Sequence, residues 1–433
     1  MRIRTWLLSA IPFLLLYLLP STTFSQVSGL ITSDTAWAAG TVSVSGTVTV
    51  PAGITLTINQ GVTAEFAAGT SLIVAGRLVA DGDNGNLIVF TSASGAPSPG
   101  DWNGIEFQNT TNIGSVFDYC VVEYAGGGTN AAGIFYKTGA FSIPVSNSTF
   151  RYSSNQGINT RSSSPSITKS TFHENAGYGI YSDLLSNFVI DSCTIVNNTA
   201  GGVHVSFNAT PTITNSIIDT NGIGVFVDNS ATPFIQSNNI RANSIGIQFT
   251  EVGASQPNIK FNTFDNNTNW AFQNLGTLTV LAELNYWGHD SGPYHASLNP
   301  TGLGENVTDR VDFQPWSVVA AARPVSQITA SIASPTTWYA DSVYWVKNDI
   351  TLSSSLNIQP GTIVKLALGA RLTVSGSINA NGSSDSLIVF TSERDDPYGG
   401  DTNGDSTATG AASGNWDMLY LNAGGNNASV LNY

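Results

Sequence analysis

The chain has 433 residues, enough to bury more than one core, and a net charge of −14 with a sequence pI near 4.4. Such an acidic surface excludes nucleic acid and anionic membrane surfaces as partners, and leaves neutral glycans, cations or a basic partner. Only 10% of residues are charged, and Gly, Ser, Thr and Asn take their place, which favours short strands joined by many turns over long helices.

In chain order, Arg2 and Arg4 precede an apolar run from Trp6 to Leu19, followed by small polar residues. This is the layout of a secretory signal, with cleavage expected near Ser25 or Gln26. The run is short and broken by Pro12 and Pro20, so a permanent span is not expected. Residues 1–25 hold two arginines and no acid, so the remaining chain carries 13 basic against 29 acidic residues, a net charge of −16. The expected product is secreted or displayed at the cell surface, without membrane insertion after signal removal.

Residues 26–105 read as opening coils, short apolar-alternating runs broken at Gly46, Gly53, Gly61, Gly69 and Gly76. From 106 to 284 a longer unit repeats. Segments starting at Pro165, Phe188, Pro211, Pro233 and Pro257 are spaced by 23, 23, 22 and 24 residues. One apolar column is Val122, Phe150, Phe172, Ile195, Ile218, Ile240 and Phe264. A second is Ile134, Ile158, Ile180, Val203, Val225, Ile247 and Phe272. Glycines 133, 157, 179, 202, 224 and 246 precede the second column, which calls for φ > 0 or a lack of room for Cβ. Asn175, Asn198, Asn221, Asn243 and Asn267 form a polar column able to hydrogen-bond from coil to coil. Period-2 alternation within each run, stacked at this period, buries the apolar columns as ladders.

These columns resemble the parallel β-helix repeat of the right-handed, pectin-lyase-like superfamily. The resemblance implies an all-β solenoid. Residues 285–316 resemble the closing segment of β-helix domains in bacterial and archaeal surface proteins, with Tyr286, Trp287 and Trp316 expected to plug the stack. A linker over 317–335 follows. In 336–433, Leu356–Leu366 matches Leu56–Phe66 and Ile388–Ser392 matches Ile88–Ser92 at an offset of 300; the segments around Trp416 and Ser429 match those around Trp102 and Ser115 at 314. This predicts a second β-helix module, incomplete at Tyr433 as expected of a gene fragment.

Cys120 and Cys193 share a column with Ser148 and Ser170 between them. Three coils place them about 14 Å apart, too far for a disulfide, so buried inert thiols are expected. Asp395, Asp396, Asp401, Asn403 and Asp405 resemble a calcium-stabilised turn; Ser406 and Ala412 replace the Gly and Glu of an EF-hand, so that motif is excluded. Calcium is the one cofactor expected. His289, Asp290 and His295 match no metal-ligand spacing and read as cap packing.

Two outward columns carry the functional expectations. Glu123, Arg151, His173, Val196, Asp219, Arg241 and Asp265 alternate in sign and read as a ladder of ion pairs. The superfamily resemblance offers a competing role, with Arg241 between Asp219 and Asp265 imitating the base and calcium-holding acids of polysaccharide lyases. The other column, Phe135, Asn159, Tyr181, His204, Phe226, Gln248 and Gln273, alternates rings with polar groups as a sugar chain requires. The leading expectation is a non-catalytic glycan-binding or adhesive β-helix protein with a polysaccharide or cell-surface glycan as partner. The alternative is a lyase or epimerase acting on uronate polymers.

Overall fold

The computed structural model describes residues 25–38, 40–108, 114–129, 131–137, 143–250, 256–318, 325–339, 342–382, 387–395, 398–399, 402–405, 408–422 and 429–432. The proposed signal segment lies almost wholly outside them, as do Asp396, Asp401 and Tyr433. Every strand pairing is parallel, and no described helix is long and apolar enough to cross a membrane.

A coil contains three strands, for example Ser166–Thr168, Thr171–His173 and Tyr178–Asp183. Each pairs with its counterpart one coil away. The first strands form a ten-stranded stack from Thr35–Trp37 to Asn258–Lys260. The second and third stacks merge into one 20-stranded sheet because Gly40–Val50 runs through both. Its first half pairs with Val62–Phe66 and its last residues with Ser71–Val74.

Strict alternation sends one column of each stack inward. Phe117, Val145, Ile167, Ile190, Ile213, Ile235 and Ile259 line the first stack, and both columns read from the sequence line the other two. Like residues stack on like: the Phe150 and Phe172 rings lie 4.9 Å apart and 6° from coplanar. Such burial removes each aliphatic side chain from water and contributes about 1.5–3 kcal/mol per residue. The repeated glycine owes its place to space, not to φ. A Cβ on Gly157 would lie 2.6 Å from the Gly179 carbonyl oxygen, and one on Gly246 2.5 Å from that of Ala271.

The corners carry a device the repeat pattern did not announce. Tyr119, Asn147, Lys169, Ser192, Asn215, Ser237 and Phe261 turn the chain from first to second strand with φ between 47° and 58°. Glu174, Asn197, Thr220, Ala242 and Asn266 do the same between second and third strands, with φ of 51–57°. A left-handed non-glycine residue costs about 1–2 kcal/mol. At both corners a buried polar residue follows, and its side chain receives the backbone N–H of the preceding coil. Asn198 N–H donates to Asn221 Oδ1 at 3.0 Å, and Asn221 N–H to Asn243 Oδ1 at 2.9 Å. Asn221 Nδ2 donates in turn to the Ile195 carbonyl at 2.9 Å. The cysteine column is the matching ladder at the other corner. Cys120 N–H donates to Ser148 Oγ, Cys193 N–H to Ser216 Oγ, and Asn238 and Asn262 continue the series. Both cysteines are buried and neither is in a disulfide, and burial holds the Cys120 thiol well above its ordinary pKa.

Both ladders end in the segment after Glu283. Asn285 Oδ1 accepts from Asn262 N–H at 2.8 Å. Where the other ladder needs one more asparagine, Glu305 takes the place: its two oxygens accept from Asn267 N–H at 2.7 Å and Asn267 Nδ2 at 2.8 Å. Trp287 is fully buried and stacks on Phe264 at 4.7 Å. Tyr286 pairs beside Thr263, whereas Trp316 sits half-buried to the side and donates from Nε1 to the Asp290 carbonyl.

Beyond residue 325 the pairing of the opening coils recurs. Thr63↔Val89 reappears as Ile363↔Val389, Leu56↔Leu78 as Leu356↔Ile378, and Leu72↔Ile105 as Leu372↔Leu419. These strands enclose a core of their own, including Trp338, Val346, Leu366, Leu372 and Ile378.

Two consequences are measurable. Asn221→Ala leaves the Asn198 N–H and the Ile195 carbonyl without their buried partner and should destabilise by roughly 3 kcal/mol or more. Asn197→Gly, at an exposed corner with φ of 55°, should fall within about 0.5 kcal/mol of the parent. Equal losses in urea unfolding would refute the ladder. Glu305 supplies a pH dependence. Burial raises its pKa from 4.5 to about 7, against the lowering effect of the Asn267 bonds. Between those values the folded chain keeps a proton that the unfolded chain has lost. Stability is therefore greatest below pH 4.5 on this account, falls as pH rises to about 7, and is then level, by about 3 kcal/mol in all. Glu305→Gln should flatten that slope, and a variant with the parent's slope would clear Glu305 of the effect.

Candidate functional site

The third stack turns one continuous column outward. Register runs Ile73, Glu106, Phe135, Asn159, Tyr181, His204, Phe226, Gln248, Gln273. All seven residues singled out from the sequence therefore stand in one line. Their surroundings differ. Tyr181 and Phe226 are partly exposed, while Phe135 is 7% and His204 9% exposed. The expectation of exposed rings needs correction at those two positions, because neighbouring side chains cover them.

At its centre the column becomes a plate of four rings. Tyr181 meets His204 edge-on at 4.7 Å, and His204 lies 4.7 Å from Phe226. Tyr178 completes it, 5.0 Å from His204. Gly201 makes room for this, since a Cβ there would sit 2.5 Å from Tyr178 Cε1. Tyr178 escaped the sequence reading because it starts its strand on a neighbouring column. Asp228 escaped it as well. It lies two positions beyond Phe226, where alternation again points outward, and it reaches back one coil to His204. That spacing was the available signal.

His204 Nε2 lies 3.2 Å from Asp228 Oδ2. Burial holds the imidazole below its ordinary pKa, and the Asp228 carboxylate only partly opposes this. The neutral ring must then carry its proton on Nε2, since a carboxylate can only accept. Nδ1 is left enclosed without a partner, as is Asn159 Oδ1. Two positions past the column a second outward line carries Lys137, Arg161, Asp183, Ser206 and Asp228. Within it Arg161 Nε contacts Asp183 at 3.0 Å.

The other expected column is also in register, from Glu123 to Asp265. Arg151 pairs with Glu123 and Arg241 with Asp219, each at 2.7 Å. Asp265 is raised by burial, with Arg241 acting against that shift. Structure thus pairs Arg241 with Asp219 and sets Asp265 next to Arg241 in register, with no ion pair between those two. His173 pairs with Glu174 at 2.9 Å.

In the acidic loop, Asp405 Oδ2 accepts from Asn403 Nδ2 and from the Thr409 hydroxyl, and Asp395 accepts from Thr391. Asp396 and Asp401 fall outside the described residues. His289 bonds Ser291, and His295 Nδ1 accepts from two backbone N–H groups of its own loop. Among the described residues no three His, Cys, Asp or Glu side chains converge as a metal site.

A family model described as "Right handed beta helix region" matches residues 156–277. A search of the curated proteins finds no match. Among solved structures, pectate lyase Pel9A is similar with a TM-score of 0.37 and 14% identity over 62% of this chain and 70% of that one. The mannuronan C-5 epimerase AlgE6 A-module of Azotobacter vinelandii gives 0.35 and 12% over 94% and 91%. The AlgE4 A-module from the same organism gives 0.35 and 13% over 85% and 91%. With its described coils paired in parallel and residues 156–277 matching that family model, the chain folds as a right-handed parallel β-helix.

Proposed function

We propose that the outward strip from Phe135 to Gln273 binds a glycan without catalysis, in the exported or surface-displayed protein that residues 1–25 lead one to expect. One observation carries this reading. A plate of rings, partly open at Tyr178, Tyr181 and Phe226, is continued along the same line by the amides of Gln248 and Gln273. Pyranose rings offer apolar faces to aromatic side chains and hydroxyls to amides. Coils rise by about 4.8 Å, close to the length of one pyranose in an extended chain, so successive residues of a glycan lying along the axis meet successive coils. Gln248 Nε2 already donates to Gln273 Oε1 at 2.5 Å, leaving donors and acceptors at the ends of that pair for hydroxyls.

The test is retention of the mature chain on a panel of plant, algal and microbial polysaccharides, with release of reducing or unsaturated ends recorded alongside. Tyr181→Ala and Phe226→Ala should each weaken retention about tenfold, the loss of one ring contact of about 1.4 kcal/mol. Arg241→Ala should leave it unchanged. Product released from any polymer would overturn the non-catalytic reading. Unchanged retention in both ring variants would remove the strip as the binding site.

We further propose that the Asp395–Asp405 loop is a calcium-stabilised turn, on the strength of its D-x-N-x-D pattern. Calcium at a hundredfold excess over its dissociation constant should add about 2.7 kcal/mol to the part it holds. An unfolding midpoint identical in calcium and in chelator would dismiss the idea.

A further inference from the structure

At the N-terminal end of the strip Phe135 walls a cavity of about 300 Å³ that it shares with Asn103, Glu106 and Gly128. Glu106 is committed there: it lies 4.0 Å from Lys137 Nζ and accepts from Gln108 Nε2 at 3.2 Å. Three coils beyond Phe135 on the same column stands His204, whose Nδ1 is enclosed without a partner.

His204 is the middle of the ring plate. Tyr181 and Phe226 each lie 4.7 Å from its ring, and Tyr178 lies 5.0 Å from it. Only 11% of its side chain is left exposed. Few titratable or charged groups face it. The preceding coil supplies Tyr178, Tyr181 and Asp183, and the following coil supplies Asp228. Burial raises both tyrosines, Tyr178 to about 12, so they stay neutral. Asp183 is held by Arg161 Nε at 3.0 Å. Asp228 Oδ2 lies 3.2 Å from His204 Nε2, and Asp228 Oδ1 accepts from Asn229 Nδ2 at 3.1 Å.

A neutral His204 suits this setting, because its one N–H meets Asp228. A protonated ring does not. The added proton must sit on Nδ1, where it becomes a buried donor with no acceptor, and the new charge is enclosed among rings. The Asp228 carboxylate opposes that penalty from the other side of the ring, but burial outweighs it and holds the imidazole below its ordinary value of 6.5. A chain laid across Tyr181 and Phe226 covers the part of His204 still open to water, which raises the penalty further. The occupied plate therefore holds the extra proton less tightly than the empty one.

Resting on the glycan reading, we propose that His204 is a pH switch in the strip, which grips a glycan while the imidazole is neutral and releases it when Nδ1 takes a proton. The sign follows from linkage. The bound state carries fewer protons than the free state, so retention is level above the pKa of free His204 and falls as pH drops through it.

The experiment measures retention of the mature chain on the polymer it retains best, from about pH 7.5 to about pH 4.5. The parent should lose about tenfold over that range, the effect of a one-unit difference between free and bound pKa. His204→Phe keeps a ring in the plate and cannot titrate, so its retention should stay level. A second readout needs no folded variant at position 204. In nitrogen-labelled histidine spectra of the parent, with the four histidines told apart by substituting the other three in turn, neutral His204 should show a bare Nδ1. Its titration midpoint should move down by about one pH unit when the polymer is added. Level retention in the parent, or an equal fall in His204→Phe, would overturn the switch and leave the glycan reading standing. A midpoint that the polymer leaves in place would do the same. Retention of no polymer at any pH would defeat the glycan reading itself, and this proposal with it.

Discussion

The hydrogen bond from each corner N–H to a side chain of the next coil is the constraint on which the rest depends. A parallel stack satisfies backbone groups along straight strands and at the left-handed corner residue, whose N–H still meets a carbonyl of the next coil, but the residue just after it donates its N–H to a side chain instead. An unpaired buried amide is expensive. Asn or Ser placed after a left-handed residue resolves this, since its side-chain oxygen occupies the position a carbonyl would have held. The bond therefore fixes both the buried polar residue and the strained residue before it. Once two corners are set in this way, three strands per coil follow, and every inward and outward column follows from alternation.

Periodicity along the axis also shapes the outer surface. Because register is exact to the residue over the whole third stack, side chains far apart in sequence become neighbours at a fixed interval. Tyr181, His204 and Phe226 meet only because Ile180, Val203 and Val225 beneath them are buried in line. The plate is thus supported by the core directly under it. The arginine–carboxylate pairs on the adjoining lines arise in the same way, from opposite charges one coil apart. Glu305 shows the reverse dependence, in which the closing segment must supply the acceptor that a further coil would have provided.

Much of this was open to reading in the residues. Spacing by 22–24 residues identified the coil, and Ile or Phe recurring at one phase identified the core. The two cysteines could be declared unbonded because both fell at the same phase, three coils apart. The ion-pair column and the ring column were legible for the same reason, since alternation tells outward from inward. Less was legible of what each outward residue touches. His204 was read as an exposed ring, yet Tyr178 and Phe226 cover it, and Asp228 reaches it from a coil away. Phe135 was read likewise and walls a cavity made by the loop at Gly128.

The amino-acid sequence by itself determined the coil, its apolar columns, its asparagine ladder and the recurrence of the opening coils after residue 325. Those are properties of period and phase, and a linear pattern contains both. Only the tertiary structure decided which corner residues turn left-handed, that the Cys and Ser column is a second hydrogen-bond ladder, that Glu305 ends the first, and that Glu106, Asn103 and Phe135 share one cavity. Each of these depends on a loop or cap folding back across coils, and the distance closed by such a fold has no period to be read.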